Sequence, residues 1–307
     1  MITSIFSKSK PINFLIVFFI SLLALLYAIF KLDETGFSFL HILKLGLVFL
    51  LCYSSILLLD FIVSKNFLSQ KSYYEILLFS LFLLTTPQIF LNKDIVLANF
   101  FILLALRRIV SLRTQKGLEK KLFDAAFLIG LASLIYFWAI LFFPFIFVAL
   151  LFYSDNQFKD WITPFLGLLT VFLLAVSYSI IVNNDFFSAL NFQPEVSFDI
   201  SNYNSGRSIT TITTVLSFGL WSSLFYLRDI KKKMKTFRPS YKVVFAASVI
   251  ATLIIILSPN KNGSEFLFLF APISIIITNY IETIEEKWFK ELFLLALIVI
   301  PFVLLVL

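Results

Sequence analysis

Apolar stretches too long for a soluble fold constrain this chain first. They run over Ile12–Phe30, Phe39–Val63, Tyr74–Leu91, Ile95–Leu106, Leu122–Tyr153, Ile162–Val182, Ile209–Leu227, Val243–Leu257, Phe266–Ile281 and Leu292–Leu307. None alternates with a period of two, as the ~10-residue strands of a membrane barrel would. In lipid only helices and closed barrels satisfy every backbone polar group, so these runs are helices. Composition agrees: with 60% hydrophobic and 14% charged residues, 307 residues carry too little polar surface to cover a water-soluble globule. The fold class is all-α, a polytopic transmembrane helical bundle, with residues 1–307 forming a single integral membrane domain.

Charge placement then orients the bundle. Basic residues gather on the cytoplasmic side of short loops, and here they concentrate in Arg107–Lys121 and Arg228–Lys242, with smaller groups at Lys8 and Lys10 and at Lys65 and Lys71. An inside start with four crossings by Arg107 fits. One crossing each for the next three runs would put Arg228, Lys231, Lys232, Lys233, Lys235 and Arg238 outside. The conflict disappears if Leu122–Tyr153 crosses twice, turning near Tyr136–Ala139. Each half would then have about 15 residues, a little short of the usual minimum of about 17. The expectation is about eleven crossings with the amino terminus cytoplasmic and the carboxyl terminus outside, in a bacterial inner membrane; a single re-entrant hairpin at 122–153 is the alternative. The retained first span, Ile12–Phe30, has no small-residue cleavage site after it.

Several chemistries are excluded or unsupported. Cys52 is the only cysteine and sits in an apolar run, which removes an intramolecular disulfide and a thiolate cluster. His41 is the only histidine, so no His-rich metal site forms; its default is a membrane-interface residue without a catalytic role. No Walker loop, dinucleotide fingerprint, HExxH or GxSxG motif occurs. The net charge of +7 belongs to inter-span loops and marks orientation, not nucleic-acid binding. Lys44 and Asp60 lie near opposite ends of the second run, and the scarcity of other mid-span charges argues against an ion-coupled pump.

The expected external segments hold the remaining chemistry. Lys31, Asp33 and Glu34 follow the first span, Lys93 and Asp94 form the next turn, Asp185, Glu195, Asp199 and Arg207 belong to the long loop Asn183–Ser208, and Lys261 and Glu265 to the last one. In the long loop Phe186, Phe187, Phe192, Phe198 and Tyr203 alternate with polar residues, which suits either an interfacial cap or a substrate-contacting segment.

Asp33-Glu34 after the first span, Lys93-Asp94 opening a helix, the Leu128-Ile129-Gly130-Leu131-Ala132 stretch and the Glu265–Pro272 segment resemble the GT-C class of membrane glycosyltransferases. The opening Met1–Phe14 looks more closely like an uncharacterised family of flavobacterial multi-pass membrane proteins, which names no activity. The GT-C resemblance implies transfer of a sugar from a polyprenyl phosphate at the external face. Asp33, Glu34 and Asp94 would be its catalytic carboxylates, with Asp33 taking the acceptor's proton, and Lys31, Lys93, Arg207, Lys261 and Glu265 would bind substrate. The loop after the first span is shorter than that class generally has, and a soluble external domain is lacking. No cofactor is implied; a divalent metal on Asp33, Glu34 or Asp94 has no motif behind it. Membrane lipids are the expected partners, with protein partners unspecified. The alternatives are a non-catalytic scaffold or accessory subunit, whose basic loops would meet anionic lipid, and a transporter of a lipid or neutral solute.

Overall fold

A computed structural model describes residues 3–8, 10–33, 38–70, 72–153, 157–186, 195–259 and 261–306. Among the described residues the regular structure is helical: α1 (Thr3–Phe6), α2 (Pro11–Tyr27), α3 (Phe39–Asn66), α4 (Tyr74–Thr85), α5 (Lys93–Val110), α6 (Leu118–Ile135), α7 (Phe142–Phe152), α8 (Phe158–Asn183), α9 (Gly206–Ile230), α10 (Arg238–Leu257), α11 (Leu267–Thr283) and α12 (Lys287–Val306). Among the described residues, eight helices are long and apolar enough to cross a membrane. The other three of the eleven expected crossings fall on shorter or more charged helices. α4 has 12 residues, α7 has 11, and α6 carries Glu119, Lys120, Lys121 and Asp124 in its first two turns.

Helix ends follow local chemistry. Proline at the first position of α2 gives up an amide that had no helical partner anyway. Pro87 stops α4, because a residue before proline is pushed out of the helical region; Thr86 sits at φ −127°, and Pro87–Leu91 continues as a 3₁₀ turn. The hydroxyls of Thr85 and Thr86 both donate back to the Phe82 carbonyl, 2.7 and 3.0 Å away. The long run Leu122–Tyr153 breaks where a turn was expected: Tyr136 is extended, a 3₁₀ turn covers Phe137–Leu141, and α7 begins at Phe142.

The chain separates into two compact units. Unit 1 comprises Met1–Val96, Asp199–Lys233 and Lys261–Leu307, and unit 2 comprises Leu97–Phe198 and Met234–Asn260.

In unit 1, α4 and α11 form the core and pack on each other. α2, α3 and α12 surround α4, and α9 lies on α11. Every described residue of α4 is buried. Phe270 of α11 sits between Phe79 and Phe82 of α4, with ring centroids 6.1 and 5.4 Å away. Such aromatic pairs add roughly 0.5–1.5 kcal/mol beyond area burial. Gly219 lets α9 approach α11, since a Cβ there would fall 2.8 Å from Ile273 Cδ1. Trp221 donates to the Tyr280 hydroxyl across the same contact at 2.8 Å.

Unit 2 is built on the pair α6–α8, with α7 and the 3₁₀ turn against α10. Gly167 lets α8 approach α6 closely: a Cβ would lie 2.6 Å from the Phe123 carbonyl oxygen. Small residues at such contacts let helix backbones meet in lipid, where packing rather than water exclusion drives association. The outer face of α8 leaves Phe165, Leu166, Leu169, Leu173 and Leu174 exposed, a surface suited to lipid tails.

Candidate functional site

Within unit 1 the direction of each helix sorts the loops between two ends. α2 leads from Lys8 and Lys10 to Asp33, α3 returns to Lys65, α4 rises again to Thr85, α9 descends from Arg207 to Lys233, and α11 descends from Glu265 to Thr283. Lys31, Asp33, Lys93, Asp94, Arg207, Lys261 and Glu265 therefore belong to one end, and Lys8, Lys10, Lys65 and Lys231–Lys233 to the other. Contacts across each end agree. The π-helical turn Ala28–Leu32 touches the turn Pro87–Leu91, which touches Ser264–Phe266. At the opposite end Phe6 accepts a backbone hydrogen bond from Tyr73.

Glu265 is the most buried of the candidate residues, with no exposed surface. Its Oε1 accepts from the Tyr203 hydroxyl and, at 3.1 Å, from the Gly263 amide. Its Oε2 has no hydrogen-bond partner among the described residues. Glu265 lies in the 3₁₀ turn Ser264–Phe266, two residues before α11 begins. Gly263 is needed for the turn: its φ is +89°, and a Cβ would meet the Gln88 side-chain nitrogen at 2.5 Å.

Arg207 opens α9 and reaches the carboxyl end of α4. Its guanidinium lies 4.3 Å from the Tyr27 ring centroid and donates to the carbonyls of Thr85 and Leu84 at 3.3 and 3.4 Å. These carbonyls are among the last of α4, which have no helical partner of their own, so the cation also complements the helix dipole. Arg207, Tyr203, Gly263, Gln88, Thr85 and Thr86 line one small cleft. Its free volume is about 10 Å³, room for about one water.

Asp33 pairs with His41 across the short loop between α2 and α3, and its side chain is 7% exposed. Glu34 lies outside the described residues, as do Phe187 and Phe192 of the long loop. Lys31, Lys93 and Asp94 are exposed. Lys261 is buried, which lowers its pKa, while the neighbouring Asp199 charge works the other way. Asp199 is held below the ordinary carboxylate range by hydrogen bonds from Ser201, its amide at 2.9 Å among them, with Lys261 adding to the effect. Among the described residues no three His, Cys, Asp or Glu side chains assemble as a metal-ligand set.

The structure thus brings Arg207, Gln88 and Tyr203 to one cleft, bonds Glu265 to Tyr203 beside it, joins Asp199 to Lys261, and leaves Asp94 and Lys93 apart at the surface. Two partners were not singled out by the sequence. His41 reads as an interfacial residue, yet it reaches back to Asp33. Tyr203 reads as one aromatic of a loop, yet it is buried on Glu265. The only sequence signal was the brevity of the 33–41 loop, which forces its ends together.

Unit 2 holds a separate feature, an apolar groove of about 490 Å³ lined by Gly130, Leu134, Phe137, Ile140, Phe165 and Leu169, among others.

Helices with apolar outer faces, buried aromatic cores and polar residues gathered at helix ends define a polytopic helical membrane protein. The chain belongs to a family of unknown function, DUF6427, which matches residues 1–306. Comparison with curated proteins and with solved structures returned no match.

Proposed function

We propose that this protein is a GT-C-like glycosyltransferase of a bacterial inner membrane, acting on a polyprenyl-phosphate sugar at the external face and working at the Glu265 end of unit 1. About eleven crossings with a cytoplasmic amino terminus belong to the same reading. The observation that carries it is the clustering at one end of a buried carboxylate with a free oxygen, a half-buried arginine and the Asp33–His41 pair. Asp33, oriented by His41, takes the proton of the acceptor hydroxyl. The acceptor oxygen then bonds to the sugar's anomeric carbon as the bond from that carbon to the phosphate oxygen breaks. The departing polyprenyl phosphate carries the negative charge, which Arg207 offsets. Glu265 holds a sugar hydroxyl, and Lys31, Lys93 and Lys261 add positive charge around the phosphate. Glu34 and Asp94 serve as further carboxylates at this end. For a sugar to enter, Tyr203 must leave Glu265.

A second reading is favoured by the tightness of the cleft and by the bonds Arg207 makes to α4. In it, Glu265–Tyr203 and Arg207–Thr85 are staples of a non-catalytic membrane scaffold.

The test is release of polyprenyl phosphate from a polyprenyl-phosphate sugar by the protein in liposomes. The transferase reading predicts product and a loss of about 100-fold or more in Asp33→Asn with the folded yield unchanged. No product from the wild type with any common sugar donor supports the scaffold, and solute flux without a new glycosidic bond supports a transporter.

A further inference from the structure

The end of unit 1 opposite Glu265 contains a second buried carboxylate. Glu75, in the first turn of α4, is 1% exposed, and neither of its carboxylate oxygens has a hydrogen-bond partner among the described residues. An ionised carboxylate buried without a partner costs far more than a neutral acid in the same place.

Its surroundings also disfavour a negative charge. The charged groups that act on it most are Asp60 of α3 and Glu282 of α11, both carboxylates. α2, also packed on α4, contributes no Asp, Glu, Lys, Arg or His. From α12, Lys290 lies over the Tyr74 ring at 5.6 Å, with Glu291 nearby. Lys65 closes the last turn of α3 and is exposed.

Glu282, by contrast, is well supplied with donors. It accepts from the Gln70 amide at 2.8 and 2.9 Å and from the Ser72 hydroxyl, and Lys233 and Lys290 lie close enough to act on it. Asn279, one turn earlier on α11, donates to the Leu68 carbonyl at 2.7 Å and leaves its own Oδ1 without a partner. The loop into α4 is therefore fastened to α11 by a carboxylate suited to its charge, while Glu75, three residues beyond Ser72, is suited to none.

We propose that Glu75 is a proton-binding site: a carboxylic acid kept neutral at physiological pH in the core of unit 1, with Glu282 at the water-facing end of the same cluster. The ligand is a proton, and the site does not depend on the glycosyltransferase reading.

The experiment is infrared spectroscopy of the full chain in liposomes, reading the C=O stretch of protonated carboxyls above the amide I band. At pH 7 the wild type shows this band, and Glu75→Gln loses one component of it while keeping the wild-type melting profile. Absence of the band in the wild type, or its full persistence in folded Glu75→Gln, overturns the proposal. If Glu75→Gln fails to fold, dicyclohexylcarbodiimide decides on the wild type. A protonated carboxyl gives its proton to a carbodiimide nitrogen, bonds through oxygen to the central carbon, and rearranges to a stable N-acylurea. An adduct mapped to Glu75 at pH 7 supports the site; labelling elsewhere only, or none, overturns it.

Discussion

At the scale of single residues, buried polar atoms at both ends of unit 1 are held by partners from distant segments. Tyr203 and Glu265 are 62 positions apart, and their hydrogen bond fastens the long loop to the start of α11. Tyr203→Phe leaves Glu265 Oε1 with only the Gly263 amide. It should cost about 0.5–1.5 kcal/mol, the net worth of a typical hydrogen bond, read as a lower midpoint in detergent-based unfolding. Gly263→Ala meets both a left-handed φ and the Gln88 side chain. A loss of about 1–3 kcal/mol is expected in the same assay, with Gln88→Ala in the background relieving the steric part but not the backbone part. Neither dependence could be read from the sequence. Tyr203 is one of five aromatics in a polar loop, and nothing in its neighbours names a carboxylate on another helix. Asp33 and His41 were nearer to legibility, being 8 positions apart across one short loop.

At the scale of elements, small residues decide how closely helices meet. Gly167→Leu would drive a side chain into the α6 backbone, where even a Cβ lies 2.6 Å from an oxygen. The pair α6–α8 should separate, and a cysteine cross-link placed between the two helices should lose most of its yield. Gly46, with open space around it, should accept alanine without effect. Elements were the most legible part of the chain. Each apolar run is helical, because apolar length is what a bilayer selects, and Leu122–Tyr153 is broken near Tyr136, where a turn was expected. The run Tyr74–Leu91 was read as one span, and Pro87 was the overlooked signal. It ends α4 at Thr85, and the carbonyls it leaves near the helix end are those Arg207 meets. The depth of α11 was not legible: its span is 89% buried and that of α8 only 22%, yet both are strongly apolar. Hydropathy does not distinguish a neighbouring helix from a lipid tail.

At the scale of the whole molecule, the proposed eleven-crossing topology puts the basic clusters inside and the candidate site residues outside. The lone Cys52 is 1% exposed, so the wild-type background is nearly silent toward a membrane-impermeant thiol reagent. Single cysteines at the exposed Asp94 and Asp199 should react from outside intact cells, and those at Lys65, Lys120 and Lys233 only after the membrane is opened. A reagent that reaches Asp199 and Lys233 from the same side would contradict the eleven-crossing topology and, with it, the shared face on which the proposed site depends. The most direct test of that site is photo-crosslinking with a polyprenyl phosphate that carries a diazirine beside its phosphate. The account predicts adducts on Gln88, Ser208 or Phe266 around Arg207, suppressed by unlabelled polyprenyl-phosphate sugar; adducts confined to the Gln70–Glu282 end, or indifferent to competitor, would contradict it.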